Sequence, residues 1–371
     1  MRSPLLGTPG AIANPDDSPD AGVAWHLGDP FGEQRAATTG VVVIDRSHRG
    51  LVAVSGAERL SWLHSLTTQH LLAVADGSGA ENLVLDLQGR VEHHLVMADL
   101  DATTWIDTEP DRVANLLDYL QKMVFWADAA PRDAGVELAQ LSLVGPGLSE
   151  ALGALAPLPE RTYGVGALDG GGFVRRMPWP GVDAADLLVP RAQLTDWWDR
   201  LAVAGARPAG TWAFESLRVQ SLRPRLGLDT DERTIPHEVG WIGDVASGGA
   251  VHLDKGCYRG QETVARVHNL GKPPRRLVLL HLDGSADGRP EPGDDVTVGG
   301  RAGDGRVVGR VGTVVDHHEL GPIALALLKR TVPVDTELAA GPCAAAIDPD
   351  SVVAEDTEQA GRAAIARLRG R

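Results

Sequence analysis

The chain has 371 residues, 43% of them hydrophobic, enough to bury more than one core, and its length favours about two to three domains. Its 35 Lys and Arg against 50 Asp and Glu leave a net charge of −15, which repels phosphate backbones and anionic membrane surfaces and argues against generic nucleic-acid binding. Two cysteines, Cys257 and Cys343, are too few for a disulfide framework, no apolar run approaches the roughly 18 residues of a membrane helix, and Pro4, Gly7, Pro9 and Gly10 break up any secretory leader. The expected location is the cytoplasm, with no membrane partner.

Residues 1–35, rich in Pro, Gly and Asp, read as a flexible arm with little to bury. GVVVID (40–45) and LVAVS (51–55) read as short buried strands. Ser55 and Glu58 then have capping-box spacing ahead of a helix bearing Leu60, Leu63 and Leu66. NLVLDLQGRVEHHLVMAD (82–99) reads as two strands about a turn near Gln88 and Gly89, and TTWID as a third. Val113, Leu116, Leu117, Leu120, Met123 and Val124 follow at the period of an amphipathic helix. The order then begins again. LSLVGPGLSEALGAL (141–155) is similar to LVAVSGAERLSWLHSL (51–66), and FVRRM and DLLVP lead to a helix with Leu194, Trp197, Trp198 and Leu201. Two similar α+β halves are therefore expected, 36–135 and 136–273. After Pro273 and Pro274 short alternating strands with glycine turns predict a closed β-domain over 274–350, and 351–371 reads as a tail.

The chemistry-bearing stretch is KGCYRGQE, Lys255 to Glu262. A cysteine kept for packing sits in an apolar run, whereas Cys257 lies between Lys255 and Arg259, cations that would stabilise a thiolate if they lie near it. Gly256 and Gly260 permit a turn or close approach, and Gln261 and Glu262 follow at once. Glu262 equally suits an ordinary pair with Lys255 or Arg266, and Tyr258 simple packing. Cys343, among small apolar neighbours, reads as core. The chain has no G-x-S-x-G elbow, Walker A, H-E-x-x-H or C-x-x-C. His317 and His318, between Asp316 and Glu319, read as a solvated turn, since adjacent residues rarely converge on one ion; no metal site is expected.

KGCYRGQE resembles the signature of the YgfZ-type folate-binding proteins. These are similar to the aminomethyltransferase (T-protein) of glycine cleavage and include iron–sulfur assembly factors. DLLVPRAQLTDWWDRLAVAGARPAGTWAFESLRVQ (186–220) and IPHEVGW (235–241) extend the likeness over roughly 40–340. The resemblance implies an α+β, aminomethyltransferase-like fold, with two similar folate-binding subdomains and a C-terminal β-barrel in a ring-like arrangement. It also implies tetrahydrofolate as the cofactor in a central channel, and iron–sulfur clients or assembly proteins as partners. Arg218, Gln220, Glu238, His93 and His94 become the folate-contacting candidates, and Cys257 and Lys255 the chemically active ones. Two departures matter. Where T-proteins resemble G-G-x-x-D-D-L, this chain has Gly89 to Leu95 as GRVEHHL, so histidine replaces the catalytic aspartate, and Gln220 stands for a folate-contacting Glu. His93 and His94 point to opposite faces of a strand, so at most one reaches a site. The resulting expectation is a folate-binding accessory factor in iron–sulfur protein maintenance rather than an aminomethyltransferase. The alternatives are a one-carbon transferase with a different base, and a folate-binding module with an inert thiol. One thiolate cannot hold a cluster that wants four.

Overall fold

The computed structural model describes residues 2–153, 155–181, 183–299 and 305–352; the tail read from 351 lies outside them from 353 on. The chain divides into two compact units. The first comprises Met1–Leu83, His93–Ser221 and Gly243–His252, and the second Val84–Glu92, Leu222–Ile242 and Leu253–Arg371.

The first unit is built on two sheets. One has six strands in the order Val165–Ala167, Phe173–Met177, Ala184–Pro190, Leu138–Val144, Val42–Asp45, Arg207–Ala209. The strands Val42–Asp45 and Leu138–Val144 are buried at every position, their polar residues Asp45, Gln140 and Ser142 included. Leu194, Trp197, Trp198 and Leu201 recur at helical spacing on Leu194–Val203, and all four pack into the core with Leu141, Leu143, Leu187 and Val189. The second sheet runs Ser78–Leu85, Val91–Leu100, Thr103–Thr108, Gly50–Ser55, Ala130–Asp133, with Leu116 and Leu120 of the helix Val113–Lys122 buried. The repeated order expected from the sequence is present: Gly50–Ser55 leads to the helix Arg59–Leu66, as Leu138–Val144 leads to Leu148–Leu152. The strands do not divide between the two sheets in chain order, however. Val42–Asp45 pairs antiparallel with Leu138–Val144 and parallel with Arg207–Ala209, whereas Gly50–Ser55, five residues further on, belongs to the other sheet.

Two local expectations are corrected. Ser55 does not cap the following helix: Glu58 is the N-cap, without a side-chain cap bond, and its carboxylate instead accepts from the Asp128 amide at 2.7 Å. The first residues bury more than their composition suggests. Leu5 and Val23 are buried, Asn14 Nδ2 donates to Thr211 Oγ1 at 3.0 Å, Asp20 bonds His48 at 2.8 Å, and Trp25 stacks on Trp212 at 4.7 Å.

A buried ionic network ties the two sheets. Arg175, 1% exposed, donates to Asp107 at 2.6 Å, to Asp186 at 2.9 Å and to the Val96 carbonyl at 3.1 Å. Arg49 reaches Asp107 at 2.9 Å and also Glu109, and Ser142 donates to Asp186 at 2.6 Å. Burial pushes the Asp107 pKa up, but the charges of Arg175 and Arg49 outweigh it and hold the carboxyl below its usual range.

The second unit carries a closed barrel of Arg275–Leu282, Gly321–Lys329, Arg306–His317, Asp295–Val298, Leu338–Ala340 and Cys343–Ile347. Cys343, Ala345 and Ile347 alternate inward on the last strand, so Cys343 is core as expected, its thiol pushed up by burial. Asp229 ties the preceding segment to the barrel by accepting from the Thr313 amide at 2.7 Å. The His317–His318 pair is not a solvated turn: His317 is buried, and its Nδ1 accepts the Glu319 and Leu320 amides at 3.1 Å. Among the described residues no helix is long and apolar enough to cross a membrane, and no cluster of His, Cys, Asp or Glu could hold a metal.

Arg175→Met should destabilise the first unit by about 3–5 kcal/mol in urea unfolding, because Asp107 and Asp186 remain buried and lose their counter-charge. In the unaltered protein the Asp107 contribution, from a depressed pKa, should be in place above about pH 4 and lost as pH falls below it.

Candidate functional site

KGCYRGQE is a loop of the second unit that leads into the helix Gln261–Leu270. Cys257 is free and exposed at its crest. Gly260 is the helix N-cap at φ +82°, and a Cβ there would lie 2.6 Å from the Asp86 carbonyl and 2.9 Å from the Gly89 Cα. Gly89, at φ +78°, turns the hairpin that presents this surface, and a Cβ on it would meet the Thr263 side chain at 2.8 Å. Two glycines thus let the loop and the hairpin turn touch backbone to backbone. Gly256 needs no such freedom for packing, since a Cβ there meets open space. Gln261 Nε2 donates to the Lys255 carbonyl at 3.3 Å, and Glu262 is exposed in the first helical turn, where a negative charge suits the helix dipole.

The two cations that flank Cys257 in the sequence are held differently. Arg259 pairs with Glu92 at 2.8 Å, so its charge is already opposed. Lys255 is 4% exposed and lies 5.2 Å from the centre of the Tyr258 ring, and burial lowers its pKa to about 8. Burial likewise raises the Tyr258 hydroxyl to about 12, so it stays protonated at neutral pH. An amine whose pKa is lowered to about 8 can act as proton donor or acceptor in the working pH range.

The other candidates fall in both units. Glu238 lies in the second, almost fully buried, and is gripped by Arg275 through two 2.8 Å bonds while accepting from the Ile235 amide at 3.1 Å. Arg275 also holds Asp231, whose carboxyl is lowered to about 2 by these bonds in spite of burial. Glu238 therefore anchors its segment to the barrel strand. Arg218 and Gln220 lie in the first unit on the helix Thr211–Gln220. Arg218 is buried against Glu215, with Nη2 to Oε2 at 2.6 Å, while Gln220 is exposed at the C-terminal end. His93 and His94 are both buried on the strand Val91–Leu100. His93 packs toward Tyr119 at 6.2 Å between ring centres. Its Nδ1 has no hydrogen-bond partner among the described residues, and burial, with a smaller push from Arg112, lowers its pKa to about 4. His94 Nε2 instead lies 2.6 Å from Glu81, whose other oxygen accepts from the Tyr163 hydroxyl at 2.6 Å.

Glu81 and Tyr163 were not singled out from the sequence. The signal for Glu81 was a carboxylate inside a strand, Ser78–Leu85, otherwise buried and largely apolar. Nothing local marks Tyr163, which lies 82 residues further on.

Comparison with known proteins points one way. The family model described as the GCVT N-terminal domain matches residues 31–246. The chain is 28% identical over 298 residues to a chloroplastic Arabidopsis thaliana protein named provisionally as a transferase, the match covering 74% of this chain and 62% of that one. It is also 28% identical over 232 residues to an aminomethyltransferase of Nitrosococcus oceani, covering 58% and 61%. The chain thus spans about three fifths of the length of these two relatives. The glycine cleavage aminomethyltransferase T of Bartonella henselae superposes with a TM-score of 0.77 over 94% of this chain and 96% of its own, at 18% identity, a likeness of fold.

Gly260→Ala should lower the melting temperature of the second unit, since positive φ and a backbone clash together cost about 2 kcal/mol. With four lysines in the chain, a carbon-13 titration at lysine Cε should show one midpoint near pH 8, abolished by Lys255→Arg.

Proposed function

We propose, because this chain belongs to the GCVT N-terminal domain family of folate-binding, aminomethyltransferase-like proteins, that it is a tetrahydrofolate-binding accessory factor of the YgfZ type, acting in iron–sulfur protein maintenance through Cys257. The observation that carries this reading is the exposed thiol on a loop pinned by Gly260, with Lys255 desolvated two residues away. The replacement of the catalytic aspartate by His93 or His94 adds to it, because a positioned acid or base is worth about 10² to 10⁴ in rate.

The residues present suit a reduced folate. A pterin edge alternates donors and acceptors, which the exposed Gln220 amide and the neutral imidazole of His93 can meet in kind. The folate supplies a one-carbon carrier; the protein supplies apolar walls, fixed polar groups and the thiol. A cluster held in transit would need further ligands from a partner, consistent with an iron–sulfur client or assembly protein as the counterpart.

A second reading, a one-carbon transferase with a different base, is favoured by one feature: His94 joined to Glu81 at 2.6 Å. A histidine so oriented can take a proton where a carboxylate acts in the transferases the chain resembles.

Titration with tetrahydrofolate should quench the fluorescence of the nine tryptophans, and calorimetry without heat or saturation at millimolar ligand would overturn folate binding. Cys257→Ser should leave folding and folate affinity unchanged yet fail to restore iron–sulfur enzyme activity in cells lacking the native protein; full complementation at normal expression makes the thiol a bystander. Robust formation of methylenetetrahydrofolate from an aminomethylated lipoyl carrier protein decides for the transferase.

A further inference from the structure

We infer that a cleft in the first unit, at the seam of its two sheets, binds a small zwitterion of the amino-acid type, with the ligand carboxylate on Arg161 and its ammonium on Glu160. None of the residues named above for folate or for the thiol lines this cleft, so the inference stands apart from that reading.

The cleft has a volume of about 600 Å³, within the range of small-molecule sites. Its floor is where the sheets touch. Ser78, the first residue of the strand Ser78–Leu85, bridges to Gly164 just ahead of the strand Val165–Ala167, and the Val165 amide donates to the Gly77 carbonyl at 2.9 Å. One wall is the segment 70–77. The opposite wall is the turn 159–164, closed by the Gly164 amide on the Arg161 carbonyl at 2.8 Å. Val245 completes the lining from a stretch held in place by Thr68 Oγ1 on the Ala250 carbonyl at 2.7 Å and Gln69 Nε2 on the Gly249 carbonyl at 2.8 Å. These bonds preorganise the cleft, so little ordering remains to be done when a ligand enters.

The chemistry lies in polar groups that bond to nothing. Elsewhere in the unit, solvent-facing arginines meet a carboxylate: Arg176 meets Asp183 at 3.3 Å and Arg207 meets Asp29 at 3.1 Å. Glu160 and Arg161 are neighbours in the chain, yet among the described residues neither side chain makes an ion pair or a hydrogen bond. The same holds for the hydroxyls of Ser78 and Thr162, which line the same cleft. His70 makes no side-chain hydrogen bond either, and its ring packs against those of His64 at 5.0 Å and His252 at 5.5 Å. A guanidinium offers two parallel donors that fit a carboxylate, with the two hydroxyls in support. Glu160, joined by Asp76 on the opposite wall, accepts from an ammonium. An anion alone would face two carboxylates, and a cation alone the guanidinium; a ligand carrying both charges is complemented at each end. Ala73, Val74, Pro159 and Val245 supply apolar surface for a hydrocarbon side chain. An L-amino acid with a large apolar side chain meets these requirements, and phenylalanine is the probe.

The test titrates L-phenylalanine into the full chain and follows the His70 ring C2 proton, assigned among the twelve histidines by its loss in His70→Gln, with calorimetry alongside. Saturable binding is expected, with a dissociation constant of about 1 mM or below. N-acetylphenylalanine lacks the ammonium and phenylalanine amide lacks the carboxylate; each should bind at least about tenfold more weakly, for the loss of one charge-assisted contact. Arg161→Gln and Glu160→Gln should each weaken phenylalanine about tenfold as well. Both positions are exposed and unpaired, so the variants should keep the melting temperature of the unaltered protein. Absence of saturation at about 20 mM phenylalanine, or an unmoved affinity in either variant, overturns the inference. Binding of the N-acetyl derivative or of the amide as tight as that of phenylalanine also overturns it, since one charge then suffices.

Discussion

Arg175 is shut away from water on a strand of the six-stranded sheet, and its charge is met by Asp107 from the five-stranded sheet and Asp186 from its own. Taking three charges out of water is costly, and only the full set of bonds, with Arg49 and Ser142 closing the remaining acceptors, makes it tolerable. That requirement fixes the two sheets in one register. A slip of one residue would carry Asp107 to the other face of its strand and leave a guanidinium buried with half its bonds.

The same guanidinium reaches the carbonyl of Val96, on the strand that bears His93 and His94. The ionic network and the histidines are thus mechanically one structure. On one face of that strand His93 is kept neutral by burial near Tyr119; on the other, His94 meets the carboxylate of Glu81.

The loop of the second unit follows a different logic. Its motif residues divide between scaffold and chemistry: Gly260 and Arg259 dock the loop on the hairpin Val84–Glu92, whereas Cys257 stands exposed and Lys255 lies desolvated over Tyr258. The charge of Arg259 is met by Glu92, which ties the motif to the strand Val91–Leu100. Glu238, bound by Arg275, belongs with the scaffold as well.

The sequence by itself determined the elements and the family. Period-two and period-3.6 patterns placed the strands and the helices Val113–Lys122 and Leu194–Val203, because which face is buried repeats with the local geometry of the backbone. The eight residues KGCYRGQE were enough to mark the loop, its exposed cysteine and its need for Gly260. What the tertiary structure decided lay between residues far apart in the chain. The pairing of Val42–Asp45 with Leu138–Val144, the meeting of Arg175 with Asp107, of Glu81 with Tyr163 and of Arg259 with Glu92 leave no local trace. A charged residue in a strand looks the same whether its partner lies opposite or is missing; packing alone brings the partner within reach, and in a low-dielectric interior that partner decides whether the charge anchors the fold or serves the site.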